Sequence, residues 1–137
     1  MSDEAMSVIA ELERRGIKVT NLCADSRAVR RGDVFVAMPG HRVDGRDYID
    51  AAIASGAAAV LCEPGGKVGS GGTATAGRAA STGTAMLEVP GLARLSGDIA
   101  HIVYGRPSER LWLAGVTGTN GKTSVSQWIA QAMNAWD

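Results

Sequence analysis

The chain has 137 residues, and its 14 acidic and 14 basic side chains give a formal net charge of zero. Proteins that bind nucleic acids or anionic membranes typically have excess positive charge or Lys/Arg-rich runs, and this sequence has neither. We therefore expect no nucleic-acid partner. No apolar window approaches about 18 residues and no basic, apolar leader is present, so we expect a cytoplasmic protein without membrane insertion. The two cysteines, Cys23 and Cys62, lack metal-ligand spacing and are expected to be buried thiols.

Hydrophobic patterning predicts one helix and two strands in the first 40 residues. Apolar side chains recur at steps of three and four over residues 2–16, which predicts an amphipathic helix. Residues 17–22 alternate apolar and polar side chains, which indicates an extended segment. Residues 34–38 are a continuous run of β-formers ended by a Pro-Gly pair, which is typical of a buried strand.

The next part of the chain predicts a helix, a strand and a long loop. Residues 48–56 carry an apolar face, with Asp47 as the expected N-cap, and residues 58–62 form a second short buried strand. A strand, a helix and a strand in this order predict a βαβ unit with parallel strands. Residues 65–85 are rich in Gly, Ala, Ser and Thr, so we expect a flexible loop there, with a functional lid as the alternative.

A final strand and helix are predicted before a boundary between two domains. Residues 86–89 read as a strand, and apolar side chains at helical spacing predict a helix over residues 92–103. We interpret Arg106-Pro107-Ser108 as a hinge that separates one domain, residues 1–107, from a second that begins at residue 108.

The region after this hinge has the order strand, glycine-rich loop and helix. Apolar residues 111–116 lead into residues 117–123, TGTNGKT, and a helix with one apolar face follows over residues 124–136. Glycines let successive N–H groups turn toward phosphate oxygens, and a helix N-terminus adds partial positive charge. The Lys122 ammonium would neutralise the outer phosphates of a nucleotide, and the Thr123 hydroxyl would reach Mg²⁺. An ordinary glycine-rich turn with a surface lysine is the alternative.

The loop departs from the general phosphate-binding pattern at Val116, where that pattern has glycine. Residues 115–124, GVTGTNGKTS, resemble the ATP loop of the Mur ligase family, the ATP-dependent amide-bond-forming enzymes of peptidoglycan assembly. The resemblance extends to Asp25-Ser26-Arg27, to residues 32–37 and to residues 40–45. These three segments have the order and spacing of the uridine-nucleotide domain in the members that add the third and later residues.

The resemblance implies an α/β fold: a small amino-terminal uridine-nucleotide-binding domain, then the first strand, phosphate loop and helix of a truncated ATPase-type domain. It implies a ligase that adds diaminopimelate or lysine to UDP-N-acetylmuramoyl-L-alanyl-D-glutamate, with this chain as an inactive amino-terminal fragment. The expected cofactors are ATP and Mg²⁺. The expected small-molecule partners are a UDP-N-acetylmuramoyl-dipeptide and an amino acid, bound by a monomer.

The same resemblance implies two sets of contact residues. The UDP-sugar contacts would be Ala24, Ser26, His41, Arg42 and Val43. The ATP contacts would be Thr117, Gly118, Thr119, Asn120, Gly121, Lys122 and Thr123. In that reading Lys122 is catalytic, Thr123 ligates Mg²⁺ and Asn120 also faces the substrate.

Two alternatives remain open at this point. One is the D-alanyl-D-alanine-adding member of the family, which shares the two-domain order. The other is a non-catalytic module in which the first domain binds a UDP-sugar. At the level of single residues, Asp25 could simply cap a turn, and Arg27 could pair with Asp33 or Asp47.

Overall fold

The computed structural model describes residues 3–40, 42–65, 82–112 and 114–135, which divide between two compact units, Met1–Pro107 and Ser108–Asp137. The first unit contains a four-stranded parallel sheet in the order β1-β2-β3-β4. Its strands are β1 (Leu22–Cys23), β2 (Val34–Ala37), β3 (Ala59–Cys62) and β4 (Ala85–Glu88). Its helices are α1 (Asp3–Arg14), α2 (Ile49–Ala54) and α3 (Leu92–Val103), and the second unit contains α4 (Lys122–Asn134).

The sheet is covered by helices on both faces, as the predicted α/β fold requires. Side chains alternate along β2, so Val34 and Val36 join one apolar cluster while Phe35 and Ala37 join the other. The first cluster contains buried residues of α1 and α3, and the second contains those of α2. All residues of β2 and β3 are buried, which confirms the two buried parallel strands inferred from their continuous apolar runs.

The first extended segment is shorter than the alternation of residues 17–22 predicted. Only Leu22–Cys23 pairs with β2, at the edge of the sheet. The Tyr104 hydroxyl, just beyond α3, accepts a hydrogen bond from the Leu22 amide at 3.1 Å and donates to Asn21 Oδ1 at 2.8 Å. A side chain from the far end of the unit therefore fixes this edge strand.

The start of α2 differs from the prediction, because its N-cap is Tyr48, which makes no side-chain capping hydrogen bond, and Asp44 caps the 3₁₀ turn that precedes it. Asp44 has an extended backbone and opens a 3₁₀ turn over Gly45–Tyr48, and its carboxylate accepts a hydrogen bond from the Arg46 amide at 3.0 Å. The Asp47 amide donates to the Asp44 carbonyl, so Asp47 already lies inside the turn and cannot cap it.

Most of the predicted flexible loop before β4, residues 66–81, lies outside the described residues. Its described end is ordered by packing. Thr84 is buried and its hydroxyl donates to the Ala57 carbonyl at 2.9 Å, and β4 begins at Ala85. The predicted loop therefore ends earlier than residue 85.

The second unit has the predicted helix but not the predicted strand. Helix α4 follows the glycine-rich loop, whereas the described residues 111–112 and 114–116 form no strand. A strand needs a neighbouring strand to accept its hydrogen bonds, and the described part of this unit offers none. Several large apolar side chains of the unit are exposed, among them Trp112 and Trp128.

The two thiols differ in burial. Cys62 is buried in the α2 cluster, and this burial raises the pKa of its thiol. Cys23 is half-buried, and its Sγ donates to the Asp25 carbonyl at 3.1 Å. The prediction of buried thiols is therefore confirmed for Cys62 and only partly for Cys23. None of the helices built from the described residues has the length and apolar character needed to cross a bilayer.

Candidate functional site

Two loops follow neighbouring strands of the parallel sheet. Residues 24–27 follow β1, and residues 38–45 follow β2. The carboxyl ends of parallel strands lie at one edge of a sheet, where open α/β folds bind ligands. This edge therefore contains the first candidate site.

The loop after β1 is closed by a contact between Asp25 and Arg27. Asp25 Oδ1 accepts from the Arg27 amide at 3.0 Å and from its Nε at 2.9 Å, and Oδ2 accepts from a terminal nitrogen at 2.8 Å. This pairing lowers the pKa of Asp25 to about 2. Asp25 does cap a turn, as one alternative held. Arg27 pairs with Asp25 in its own loop and not with Asp33 or Asp47, the partners considered in the alternative. The Asp33 carboxylate instead accepts a hydrogen bond from the Arg30 amide.

The loop after β2 is a narrow reverse turn whose two sides touch. The Gly45 amide donates to the Met38 carbonyl at 2.9 Å, and the Gly40 amide donates to the Val43 carbonyl at 3.0 Å. A Cβ at Gly40 would lie 2.5 Å from the Val43 oxygen, and one at Gly45 would lie 2.8 Å from the Met38 oxygen. Both positions therefore need glycine for close backbone approach.

The second loop repeats the Asp-x-Arg contact of the first in a more buried setting. Asp44 Oδ1 accepts from the Arg46 amide at 3.0 Å and from its Nε at 2.9 Å, and Oδ2 accepts from a terminal nitrogen at 2.6 Å. The Arg46 guanidinium lowers the pKa of Asp44. The Arg46 side chain is 12% exposed, whereas that of Arg27 is 88% exposed.

The two loops line one cleft of about 700 Å³. Of the predicted sugar-nucleotide residues, Ala24 and Ser26 line it from the first loop and Val43 lines it from the second. Arg42 is exposed but is not among the lining residues, and His41 lies outside the described part of the chain. The structure thus brings together three of the five predicted residues.

Three polar residues line this cleft without being among the predicted contacts: Asp25, Arg27 and Tyr48. Asp25 and Arg27 belong to the segment that carries the resemblance, with a turn cap and a surface ion pair as their alternatives, whereas Tyr48 was predicted only as part of a helix. The sequence did contain a signal, because Asp-x-Arg occurs in both loops, at residues 25–27 and 44–46. A repeated turn motif after two adjacent strands indicates that both turns serve one edge of the sheet.

A second, smaller cleft of about 440 Å³ lies between α1, the end of β4 and α3. It contains none of the predicted site residues. Two of its acidic side chains already have cationic partners: Glu4 pairs with Arg94, and Glu11 pairs with Arg14 and Arg15.

The glycine-rich loop of the second unit has the geometry of a helix-terminal anion site. Gly118 and Gly121 have positive φ, and Gly121 is the N-cap of α4. The first hydrogen bond of the helix runs from the Val125 amide to the Gly121 carbonyl, so the preceding amides of its first turn have no acceptor within the helix. The Lys122 ammonium turns back over the loop and donates to the Gly118 carbonyl at 2.6 Å.

These features fit a phosphate group. The loop offers one ammonium, the amides of a helix N-terminus and two glycines whose conformation side chains disfavour. Thr123, in the first turn of α4, is exposed and carries a hydroxyl oxygen suited to Mg²⁺. Within the described ranges, no group of three or more His, Cys, Asp or Glu side chains could hold a metal ion.

Comparison with known proteins agrees with the first unit's fold and loops. Residues 18–104 match a family model described as Mur ligase family, catalytic domain. The chain belongs to the Mur ligase family. The matched residues include both cleft loops and end before the glycine-rich loop at residues 117–123.

Three curated relatives of this chain carry the name UDP-N-acetylmuramoyl-L-alanyl-D-glutamate–2,6-diaminopimelate ligase. The protein from Pseudomonas putida is 47% identical over 116 residues, which are 85% of this chain and 22% of that protein. The protein from Pseudomonas aeruginosa is 47% identical over 120 residues, 88% of this chain and 23% of that protein. The protein from Nitrosomonas europaea is 44% identical over 131 residues, 90% of this chain and 22% of that protein.

A solved Mur ligase structure agrees with these relatives. It is also a UDP-N-acetylmuramoyl-L-alanyl-D-glutamate–2,6-diaminopimelate ligase, with a TM-score of 0.58 and 26% sequence identity over 86% of this chain and 22% of that chain. This chain therefore spans less than a quarter of the length of the relatives it matches.

Proposed function

We propose that this chain supplies the sugar-nucleotide unit and the ATP loop of a ligase that adds diaminopimelate to UDP-N-acetylmuramoyl-L-alanyl-D-glutamate in peptidoglycan synthesis. Residues 1–107 form the UDP-sugar-binding unit, and residues 108–137 form the start of the ATP-binding part. The observation that carries the proposal is the cleft shared by Ser26 and Val43 in a chain whose relatives are named for this reaction. Those names favour diaminopimelate over lysine as the amino acid that is added.

The cleft suits a uridine nucleotide because it combines polar groups on two loops with an apolar floor. The Ser26 hydroxyl can donate to and accept from a uracil ring or a ribose, and Ala24 can offer its backbone groups. Val43 lines the cleft from the second loop, where its carbonyl accepts a hydrogen bond from the Gly40 amide. We retain His41 and Arg42, on the same turn, as further contacts to the nucleotide.

In the second unit, we assign the phosphates of ATP to the backbone of residues 117–121 and to Lys122. When bound, ATP supplies the phosphoryl group that activates the substrate carboxylate. Lys122 places its positive charge where the transferring phosphate gains negative charge, and this raises the rate more than it raises ground-state binding. The Thr123 hydroxyl would ligate Mg²⁺, and Asn120, which is exposed on the same loop, would face the substrate.

We expect binding but no ligase turnover from the 137 residues alone. The relatives that carry the ligase name are more than four times as long as the segment they share with this chain, because that segment is 22% of their length. The amino-acid pocket, the general base and the remaining Mg²⁺ ligands would then come from the part of the ligase that these relatives contain and this segment does not.

Isothermal titration calorimetry tests the cleft. Purified chain should bind UDP-N-acetylmuramoyl-L-alanyl-D-glutamate and, more weakly, UDP. Ser26→Ala should weaken both by about tenfold, because one hydrogen bond to the ligand is worth about 1 kcal/mol and its partner would stay buried. Ser96→Ala is the matched control, since that hydroxyl donates to the Ala93 carbonyl on the surface of α3.

The outcomes separate this proposal from its rivals. A folded chain that binds neither uridine compound would contradict the sugar-nucleotide assignment. Equal affinity for UDP and for UDP-N-acetylmuramoyl-L-alanyl-D-glutamate would show that the cleft binds only the nucleotide part of the ligand. Binding of the UDP-sugar by a full-length protein that forms no amide with any amino acid would favour the non-catalytic module.

A further inference from the structure

Arg46 lies directly behind the loop that forms one wall of the cleft. It does not line the cleft itself. Its Nε and one terminal nitrogen hold the two carboxylate oxygens of Asp44, and its other terminal nitrogen donates to the Glu63 carbonyl at 3.5 Å. One guanidinium therefore connects the end of the 38–45 loop to the residue that follows β3.

Glu63 is itself held in place from the other side. Its carboxylate accepts from the Gly91 amide at 2.7 Å and from the Ala93 amide at 3.3 Å, both at the start of α3. The first amides of a helix have no acceptor within it, and a carboxylate there is also stabilised by the helix dipole. The backbone that Arg46 contacts is therefore fixed to both the sheet and α3.

Among the described residues of the 38–45 loop, Met38 is the one side chain that packs against a core cluster. Two main-chain hydrogen bonds, Gly45 to Met38 and Gly40 to Val43, close it. Val43 is 53% exposed, so its burial contributes little. A segment with few buried apolar contacts and exposed hydrogen bonds opens readily, unless polar contacts at its base hold it.

We propose that Arg46 is a positioning residue for the uridine nucleotide. Through Asp44 and the Glu63 carbonyl, it holds the 38–45 loop in the form that lines the cleft. This inference rests on the proposed function of the cleft. Lysine cannot replace Arg46, because a single ammonium cannot pair with both carboxylate oxygens in a planar fork and also reach the carbonyl.

The test compares two variants of this contact with a control. Arg46→Lys keeps the charge and removes the fork. Asp44→Asn keeps an oxygen that can accept from the Arg46 amide but removes the ionic contact. Arg14→Ala removes an exposed arginine that pairs with Glu11 on α1, away from the cleft.

Each variant is measured in two ways. Amide hydrogen exchange of the ligand-free chain reports the loop through Gly45, and the β2 and β3 amides report global stability. Calorimetry gives the Kd for UDP-N-acetylmuramoyl-L-alanyl-D-glutamate. Arg46→Lys and Asp44→Asn should each raise Gly45 exchange and the Kd by about tenfold, the loss expected for one charge-assisted hydrogen bond, without faster exchange in the strands. Arg14→Ala should leave both values within about twofold, as expected for an exposed ion pair.

Two results would overturn the proposal: a Kd within about twofold of wild type in both variants, or Gly45 exchange that rises only together with that of the strands. If Arg46→Lys does not fold, Asp44→Asn decides the question by the same two measurements. If the wild-type chain binds no uridine compound, the proposed function fails. Gly45 exchange then still decides whether Arg46 shapes the loop.

Discussion

The two units hold their candidate binding loops in different ways. In the first unit, the turn at residues 38–45 is closed by its own main-chain hydrogen bonds, follows a strand buried on both faces, and is connected through Arg46 to the distant Glu63 carbonyl. In the second unit, residues 117–123 are shaped by their own glycines, by Lys122 and by the helix that follows. A loop of the second kind is encoded locally, whereas one of the first kind depends on the whole fold.

The largest effect is expected at the second unit's loop, to which we assign the phosphates of ATP. Lys122→Ala in the full-length ligase should lower kcat by at least about 100-fold, because one preorganised charge at the transferring phosphate is removed. The melting temperature of the first unit should not change, since Lys122 belongs to the second unit and, within the described residues, its ammonium donates to the Gly118 carbonyl of that same unit. Steady-state kinetics and thermal unfolding check both statements, and wild-type turnover would refute the role given to this lysine.

Two aromatic side chains, one in each unit, should contribute very differently to the stability of the first unit. Phe35 is fully buried in the α2 cluster, so Phe35→Ala should lower the free energy of unfolding of the first unit by about 3–5 kcal/mol. Trp128 of α4 is 66% exposed, and Trp128→Ala should change it by no more than about 0.5 kcal/mol. Urea denaturation of the two variants measures the difference. A loss of similar size for Trp128→Ala would show that the comparison is wrong.

A pair of glycines tests the close packing of the first unit's loop. Gly45→Ala would place a Cβ 2.8 Å from the Met38 carbonyl oxygen, so we expect a loss of about 1–3 kcal/mol and weaker UDP binding. Gly97, on the exposed surface of α3, has nothing within 4 Å of its Cβ position. Gly97→Ala should therefore stabilise the helix by about 0.5–1 kcal/mol. Equal effects in urea denaturation would argue against a tightly packed 38–45 loop.

The smallest effect concerns pH. The pKa of Asp25 is lowered to about 2 by Arg27, below its ordinary value of 3.8. A lowered pKa means that the folded state favours the carboxylate, so the stabilisation is complete above about pH 4 and is lost as the pH falls toward 2. Wild type should exceed Asp25→Asn in stability at pH 6 by a small margin, because the pair is exposed, and the two should converge near pH 2. A constant difference from pH 6 to pH 2 would contradict this contact.

A local signal was sufficient for β2, β3 and the glycine-rich turn before α4. Continuous apolar runs predicted β2 and β3 because a strand buried on both faces needs no polar side. The glycine-rich turn was also predictable, since its glycines and the start of α4 lie within residues 117–123 themselves. The strand expected over residues 111–116 does not form in the described residues, because a strand depends on a partner that periodicity alone cannot supply.

Other features depended on contacts between distant parts of the chain. From the sequence, either Asp44 or Asp47 could have capped the turn before α2. In the structure Asp44 is the cap, and the Arg46 guanidinium donates two hydrogen bonds to its carboxylate. The carboxylate of Glu63 caps α3 from 28 residues away, which no pattern of spacing indicates. The resemblance named Ser26 as a contact and included Arg27 in its segment, but that Tyr48 lines the same cleft depends on how α2 packs beside these loops.

The hydroxyl of Tyr104 has a practical consequence for anyone who wishes to shorten this polypeptide. Helix α3 ends at Val103, and a clone designed from helix limits alone would stop there. That clone would lack the Tyr104 hydroxyl, which hydrogen-bonds to Asn21 and to the Leu22 amide. The two-residue edge strand beside the first cleft loop would then be less well held. Expression of the first unit alone should therefore extend past Tyr104, to the unit boundary at Pro107.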